Sequence, residues 1–292
     1  MTIVARISSF IPIVFLTLIS LACVFPLLLV ISISFSDIDS IYNSGYRLFP
    51  KKISLDAYTY ILSDASVILN AYGVSILITV LGSLLSLVVL CLVAYPLSRR
   101  DFKHKNPIMF YVFFTMLFNG GLVPWYIVIT KLYHLKDTMW VLILPYVVVP
   151  WFLILLRTFF ASIPTEIVEA ARVEGCNEYR LLFGIVVPIS RPALATVGLL
   201  AVLRYWNDWW LSLLFINDRK WYPLQLLMQK IMSNIEELAR SAAQTGIVEM
   251  VEFPSESARM AMAVIAAGPM LFIFLYFQKY FIRGLTVGAL KG

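Results

Sequence analysis

Residues 11–33 read IPIVFLTLISLACVFPLLLVISI and contain no charged side chain. About 20 consecutive apolar residues form a helix long enough to cross the hydrocarbon core of a bilayer. The stretch is also longer than the roughly 7–15-residue apolar core of a secretory signal peptide. No small-x-small cleavage site follows, because the chain continues into Ser36-Asp37-Ile38-Asp39. The stretch therefore predicts a retained membrane-spanning helix.

The composition of the whole chain has the same bias. It is 61% hydrophobic and 14% charged, with a mean hydropathy of +0.86. Soluble globular chains are about 45–50% apolar and about 25% charged, so the composition excludes a cytosolic enzyme, a disordered protein and a fibrous repeat. Cys23, Cys91 and Cys176 lie far apart, which argues against a disulfide framework and against a zinc site. The net charge of +6 is dispersed between apolar blocks, which favours membrane topology over nucleic-acid binding.

Uncharged or nearly uncharged stretches recur along the chain and predict an all-α integral membrane protein with six transmembrane helices. The predicted spans are residues 11–33, 72–95, 108–130, 139–156, 192–215 and 260–277. With an even number of spans, both termini lie on the same side of the membrane. That side carries twelve basic residues against five acidic ones, namely Arg6, Arg99, Arg100, Lys103, Lys105, Arg157, Arg172, Arg180, Arg191, Lys279, Arg283 and Lys291 against Asp101, Glu166, Glu169, Glu174 and Glu178. The positive-inside bias therefore predicts cytoplasmic termini.

The longest predicted cytoplasmic loop, residues 157–191, contains the sequence SIPTEIVEAARVEG at positions 162–175. Thr165 is placed to cap a helix that ends before Gly175, which can adopt the left-handed conformation after a helix end. Asn177 is placed to cap a second short helix. Adjacent small side chains at Ala170 and Ala171 allow close approach of another backbone. These features predict a helix–turn–helix, and by themselves they suit an ordinary surface hairpin equally well.

The spacing in this loop resembles the EAA motif of bacterial ABC-importer permeases. Glu169-Ala170-Ala171, three residues, Gly175, nine residues and then residues 185–188 match the family pattern E-A-A, three, G, nine, I, one, L, P. The departure is Val187, where leucine is usual. In that family the loop is the coupling helix, which sits in a cleft of the ATP-hydrolysing subunit. The resemblance thus assigns ATPase coupling to Glu169, Ala170, Ala171, Gly175, Ile185 and Pro188.

Two further segments extend the resemblance over roughly residues 72–292. The closing sequence RGLTVGALKG, residues 283–292, is similar to the C-terminal tail of the second permease subunit of maltose-type importers. This implies ATPase contacts for Gly284, Leu285, Thr286, Gly288, Lys291 and Gly292. A fifth-span cluster resembles the aromatic, Asn and acidic cluster of sugar permeases. It implies a translocation path lined by Arg204, Tyr205, Trp206, Asn207, Asp208 and Trp209.

The resemblance implies a type I permease fold and a function. The expected parts are residues 1–70, the first helix and first extracytoplasmic loop; residues 71–282, the ABC transmembrane domain with its coupling loop at 157–191; and residues 283–292, a cytoplasmic tail. The chain would be a non-catalytic permease subunit in the bacterial cytoplasmic membrane that imports an oligosaccharide, with a lean towards large or uronate-containing ones. Its partners would be a second permease, two ATPase subunits and an extracytoplasmic solute-binding protein, the last meeting the outer loop 218–259. The chain would hold no cofactor and no metal, ATP and Mg²⁺ would belong to the ATPase subunits, and no nucleic acid would be involved.

Several alternatives stay open from the residues. Arg204 and Asp208 are spaced to pair on one helix face, either as a functional path or as a structural ion pair that faces the partner permease. The fifth-span tryptophans, Trp210 included, suit either sugar stacking or an aromatic belt at the interface. An ABC permease for a non-sugar solute is the main alternative. A secondary transporter would need an inverted repeat, and a membrane enzyme would need a catalytic constellation, and neither pattern is evident in the sequence.

Overall fold

The computed structural model of the 292-residue chain describes residues 3–245 and 255–289. The described residues contain α-helices and no β-strand, apart from one isolated bridge between Ser36 and Ile53. The α-helices are α1 (Ile3–Ser34), α2 (Ile38–Ser44), α3 (Asp56–Ile61), α4 (Ala65–Ser98), α5 (Lys105–Leu117), α6 (Leu122–Ile127), α7 (Met139–Ile143), α8 (Pro150–Ala161), α9 (Thr165–Val173), α10 (Glu178–Leu181), α11 (Val187–Ile189), α12 (Arg191–Trp206), α13 (Trp210–Phe215), α14 (Leu224–Thr245) and α15 (Ser255–Ala289). Short 3₁₀ turns lie at Leu62–Asp64, Leu144–Tyr146 and Arg219–Trp221, and π-helical turns at Val128–Leu132 and Leu182–Val186.

Three continuous helical stretches are long and apolar enough to cross a membrane. They are Pro12–Ser34, Asp56–Ser98 and Glu256–Gln278. They confirm the predicted spans 11–33, 72–95 and 260–277. Large apolar side chains cover the outside of α1, with Phe15 and Leu16 about 60% exposed. Such a surface is stable only against lipid or another protein, because apolar area exposed to water is unfavourable.

The third predicted span, residues 108–130, is wrong as a single helix. Helix α5 and the stretch Leu122–Leu132 meet at 114°. Asn119-Gly120-Gly121 separates them: Gly121 has φ +89°, and its N–H donates to Asn119 Oδ1 at 2.7 Å. Helix α5 is followed by Phe118 in an extended conformation, and Gly121 precedes α6 at a positive φ that only glycine adopts readily.

The fourth and fifth predicted spans are also interrupted. Two prolines, Pro145 and Pro150, bracket a break of 46° between Met139–Tyr146 and α8. The predicted fifth span, residues 192–215, is not one helix, because α12 ends at Trp206 and α13 begins only at Trp210. A bend of 85° instead joins α12 to the preceding helical stretch Glu178–Ile189. Counting each bent pair as one span, the described residues hold six candidate spans.

The chain forms two compact units, Met1–Ile68 with Met228–Pro269, and Leu69–Leu227 with Met270–Gly292. The second unit contains two buried apolar clusters. One joins α4, α8, α9, α10 and α12 and includes Leu90, Leu156 and Leu181. The other joins α4, α7 and α13 and includes Ile143 and Phe215. The first cluster includes Ala171 of the loop 157–191, and the second includes Tyr205 of α12.

Candidate functional site

The loop that carries the EAA-like sequence is a helix–turn–helix, as predicted. Helix α9 is followed by Gly175 at φ +79°, the left-handed conformation expected of it. The Asn177 side chain accepts a 2.8 Å hydrogen bond from the Arg180 N–H and so caps α10, also as predicted. The predicted cap at Thr165 is wrong: Thr165 is the first helical residue, Pro164 precedes it, and no side chain caps this end.

The residues of the EAA-like motif divide between the surface and the core. Glu169, Ala170 and Gly175 are exposed, as is Pro188 in α11. Ala171 is only 5% exposed because it packs with Val168 into the cluster under α9, and Ile185 packs against the same cluster. A partner can therefore reach the first group directly, whereas Ala171 and Ile185 fix the loop to its own unit.

An ionic cluster joins this loop to the segment after α4. Arg172 Nη1 lies 2.8 Å from Asp101 Oδ2, and Arg172 Nη2 lies 2.9 Å from Glu178 Oε1. The Tyr95 hydroxyl donates to Glu178 Oε2 at 2.6 Å. Arg172 of α9 thus bridges Glu178 of α10 and the segment that follows α4, and Tyr95 joins Glu178 to the C-terminal end of α4. No spacing in the sequence reveals this cluster, because its members lie up to 83 residues apart.

The ion pair of Arg172 with Asp101 is charged near neutral pH. The hydrogen bond from Arg172 holds the pKa of Asp101 below its ordinary value, and the same bond raises the pKa of Arg172. The pKa of Asp101 is lower in the folded chain than in the unfolded chain, where it is about 3.9. The ion pair therefore contributes fully to folding stability above the unfolded pKa, and this contribution is lost as the pH falls through the folded pKa. The link therefore persists throughout the physiological pH range.

The fifth-span cluster is arranged around a helix break and Tyr146. Arg204 lies with its guanidinium carbon 4.1 Å from the Tyr146 ring centre, a cation–π contact. The Tyr146 hydroxyl donates to Asp208 Oδ1 at 2.7 Å, and the Leu211 N–H donates to Asp208 Oδ2 at 3.1 Å. The predicted direct pairing of Arg204 with Asp208 on one helix face is thus replaced by contacts through Tyr146, because α12 ends before Asp208.

Tyr205 and Trp206 are buried beside this cluster. Both are under 5% exposed. The Tyr205 hydroxyl donates to the Ile143 carbonyl at 2.9 Å, and Trp206 lies against Tyr72 with ring centres 6.2 Å apart. A Cβ at Gly82 of α4 would lie 2.6 Å from the Tyr205 ring, so glycine permits the close approach of α4 and α12.

An open cavity of about 490 Å³ lies beside the break. Of the six predicted path residues, Arg204, Asn207 and Asp208 line it, together with Trp210. Trp209 stacks edge-on against Trp210, with ring centres 5.7 Å apart, and is not part of the lining. The remaining walls are apolar or aromatic and come from Tyr146, Phe152, Leu200 and Leu203.

Tyr146 is the residue of this cavity that sequence analysis missed. It lies about 60 residues before Arg204, so no local spacing connects the two. The available signal was the sequence Pro145-Tyr146-Val-Val-Val-Pro150, in which two prolines open a helix inside an apolar stretch. Non-helical backbone at membrane depth is tolerated where it lines a cavity or is buried in protein.

Part of the predicted C-terminal tail is helical. The backbone of α15 runs through Gly284, Leu285, Thr286 and Gly288 to Ala289. Lys291 and Gly292 lie outside the described residues. In the outer loop, Glu249 and Glu252 also lie outside them, whereas Glu236 pairs with Arg259 at 3.4 Å.

The chain has up to six apolar spans, and an open cavity at a helix break is lined by Arg204, Asn207 and Asp208 among apolar and aromatic side chains. These features are those of a multi-pass membrane transport subunit. No family model matches the chain. It is 38% identical over 281 residues to the polygalacturonan/rhamnogalacturonan transport system permease protein YtcP of Bacillus subtilis (strain 168), covering 95% of this chain and 96% of that one. It is 31% identical over 286 residues to the arabinooligosaccharides transport system permease protein AraQ of Halalkalibacterium halodurans, covering 94% and 93%.

A solved structure gives the same result. A bacterial ABC transporter involved in the import of the acidic polysaccharide alginate matches with a TM-score of 0.80 and 26% identity, over 96% of this chain and 99% of that chain. The chain belongs to the family of permease subunits of carbohydrate ABC transporters. The predicted all-α permease fold with six spans is confirmed.

Proposed function

We propose that this permease carries uronate-containing oligosaccharides across the cytoplasmic membrane, driven by ATP hydrolysis in partner subunits. The observation that carries the proposal is the full-length likeness to a polygalacturonan/rhamnogalacturonan permease, together with the likeness to an alginate importer. Polygalacturonan, rhamnogalacturonan and alginate are all acidic polysaccharides that carry carboxylates. The two similar proteins match nearly the whole length of this chain.

The cavity at the α12 break supports an acidic substrate. Arg204 is exposed there, and its contact with Tyr146 leaves guanidinium N–H groups for a ligand carboxylate. Asp208 already accepts hydrogen bonds from Tyr146 and Leu211, so Arg204 is the charged side chain of the cavity with more capacity to bind a ligand. The neighbouring Trp210 offers an apolar face on which a sugar ring can stack.

The test compares charged and neutral substrates in the reconstituted complex. We expect Arg204→Gln to lower ATP-driven uptake of oligogalacturonides about 10- to 100-fold, since a hydrogen bond to a charged group is worth about 1.5–3 kcal/mol. Arg204→Lys should retain part of the activity, because a lysine keeps the charge but lacks the planar fork. Methyl-esterified oligogalacturonides should be carried poorly by the wild type and be insensitive to Arg204→Gln.

Two results would contradict the proposal. One is equal uptake of charged and esterified chains when the solute-binding protein is loaded equally with each. The other is unchanged oligogalacturonide uptake in Arg204→Gln with a normally assembled complex.

We further propose that Glu169, Ala170 and Gly175 dock in the cleft of an ATPase subunit, with Ala171, Ile185 and Pro188 shaping the loop behind them. Two ATPase subunits that bind ATP and Mg²⁺, a second permease and an extracytoplasmic solute-binding protein complete the machine. Exposure of the first three residues supports the docking assignment. The tail residues Gly284, Leu285, Thr286, Gly288, Lys291 and Gly292 are proposed as a second ATPase contact. Both termini would then lie in the cytoplasm.

A further inference from the structure

The loop that follows α1 is held against the end of that span. The Ser32 hydroxyl donates to the Arg47 carbonyl at 2.7 Å, and the Asp37 N–H donates to the Lys52 carbonyl at 3.1 Å. The Ser54 N–H donates to the Phe35 carbonyl at 2.9 Å. Because Ser32 belongs to the membrane-spanning stretch Pro12–Ser34, these bonds fix residues 47–54 within about one helical turn of its end.

A second span fixes the same loop. The Tyr46 hydroxyl donates to Glu256 Oε2 at 3.0 Å, and Glu256 is the first residue of the span Glu256–Gln278. The ends of two spans therefore place this loop at one level. That level is the headgroup region, which adds roughly 5–7 Å to each side of a hydrocarbon core about 30 Å thick.

The tip of the loop combines apolar exposure with positive charge. Residues 47–53 read RLFPKKI. Phe49 is 86% exposed, Ile53 is 72% exposed and Leu48 is also exposed. Arg47 and Lys51 are exposed on either side, and both are anchored to Ser44. An aromatic ring beside basic side chains at the end of a span is the pattern of a membrane-interface anchor.

We propose that residues 46–53, the interfacial loop, insert Phe49 at the boundary between headgroups and acyl chains and bind phosphates of anionic phospholipids through Arg47 and Lys51. The charge is complementary. Asp37 is paired with Lys52 at 3.3 Å, whereas Arg47 and Lys51 bond to neutral oxygens of Ser44, so their positive charge is available to a phosphate. This contact would hold α1 and the start of the last span in register with the membrane surface. It does not depend on the solute carried.

A photo-crosslinker tests the proposal in the assembled complex. Benzoylphenylalanine replaces Phe49 in native membranes, and mass spectrometry identifies the adduct on the peptide that contains residue 49. Val173 at the end of α9 is a matched control, because it is an apolar side chain that is 89% exposed and lies between Arg172 and Glu174 of the helical loop. We expect a phospholipid adduct at position 49 and none at position 173.

Neutralising the charges gives a second readout. Each basic residue near an anionic membrane surface strengthens its attraction to anionic over zwitterionic lipids by about fivefold. The double variant Arg47→Gln, Lys51→Gln should therefore lower the ratio of anionic to zwitterionic lipid adducts at position 49 at least about fivefold. Should the crosslinker variant fail to assemble, the Phe49→Trp variant gives added fluorescence that brominated lipids quench. An adduct at position 49 with the solute-binding protein or another subunit overturns the proposal, as does fluorescence of the Phe49→Trp variant that brominated lipids leave unchanged.

Discussion

At the residue scale, Gly82 is required by a close contact. A Cβ there would lie 2.6 Å from the Tyr205 ring, which is itself held by the Ile143 carbonyl. We expect Gly82→Ala to destabilise the protein by about 1–3 kcal/mol through overpacking. The measurement is thermal unfolding in detergent. Gly73→Ala in the same helix is the control, because nothing lies within 4 Å of its Cβ; equal effects at both positions would refute the contact.

Tyr146 is the second residue on which the site depends. Tyr146→Phe keeps the ring under Arg204 but removes the 2.7 Å bond to Asp208. Leaving a partly buried carboxylate without one of its hydrogen-bond donors lowers the free energy of unfolding by about 1–3 kcal/mol. We expect this loss in thermal stability together with reduced transport. Exposed Tyr133→Phe should change neither quantity. A Tyr146→Phe variant with wild-type stability would show that Asp208 is satisfied by other groups.

Substitutions at Gly175 test whether the backbone conformation of the turn after α9 is needed for docking to the ATPase. The φ of +79° at Gly175 suits Asn but strains a β-branched side chain, and open space surrounds its Cβ position. We expect Gly175→Val to impair assembly with the ATPase while membrane insertion stays normal. Gly175→Asn should retain the fold of the loop. Uptake by Gly175→Val at the wild-type rate would contradict a role for this turn in coupling.

At the scale of elements, the ionic cluster links α9 and α10 to the C-terminal end of α4. Arg172 joins Asp101 to Glu178, and Tyr95 joins Glu178 to α4. A packed element transmits motion as a unit. We therefore expect Asp101→Asn to lower solute moved per ATP hydrolysed about two- to fivefold, as loss of one exposed ion pair is worth up to about 1 kcal/mol.

The control for that experiment is Glu174→Gln, which removes an exposed acid from the same loop. It should leave the ratio of uptake to hydrolysis unchanged. A normal ratio in Asp101→Asn would mean that the apolar contacts of Val168 and Leu181 suffice to couple the loop.

Elements were predictable where composition alone determines them. The uncharged run of α1 predicted a span, and Gly175 and Asn177 predicted the turn and cap of the helical loop, because each signal is local. The helix breaks within the spans were not predicted. An apolar stretch indicates that its residues lie in the membrane, but it does not show whether they form one straight helix. Gly121 and Pro150 show that the break signals were present but were outweighed by hydropathy.

The site was predictable only in part. Arg204, Asn207 and Asp208 were singled out because their segment resembles the fifth-span cluster of sugar permeases, and Arg204 and Asp208 also because an intramembrane charge is costly. Tyr146 and the Arg172 cluster depend on contacts across about 60 or more residues, which no spacing in the sequence reveals. Trp206 was assigned to the path by the resemblance of its segment, and it lies buried against Tyr72.

At the scale of the whole molecule, the chain has the features of one subunit of a larger machine. Its spans expose large apolar surfaces, and its loop exposes Glu169 and Gly175 on a rigid base. The apolar surface needs lipid or another protein around it, and the exposed loop is the surface that we propose for the ATPase. The relatives are named as permeases of transport systems, which agrees with such an assembly.

The most direct measurement is purification of the tagged chain from its native membranes in mild detergent, with mass spectrometry of the proteins that accompany it. We expect a second permease and an ATPase with a Walker motif to be recovered with the wild-type chain. The Gly175→Val variant should lose the ATPase and retain the second permease. Recovery of the chain alone, still moving solute after reconstitution, would contradict the coupling role of the helical loop and indicate a secondary transporter.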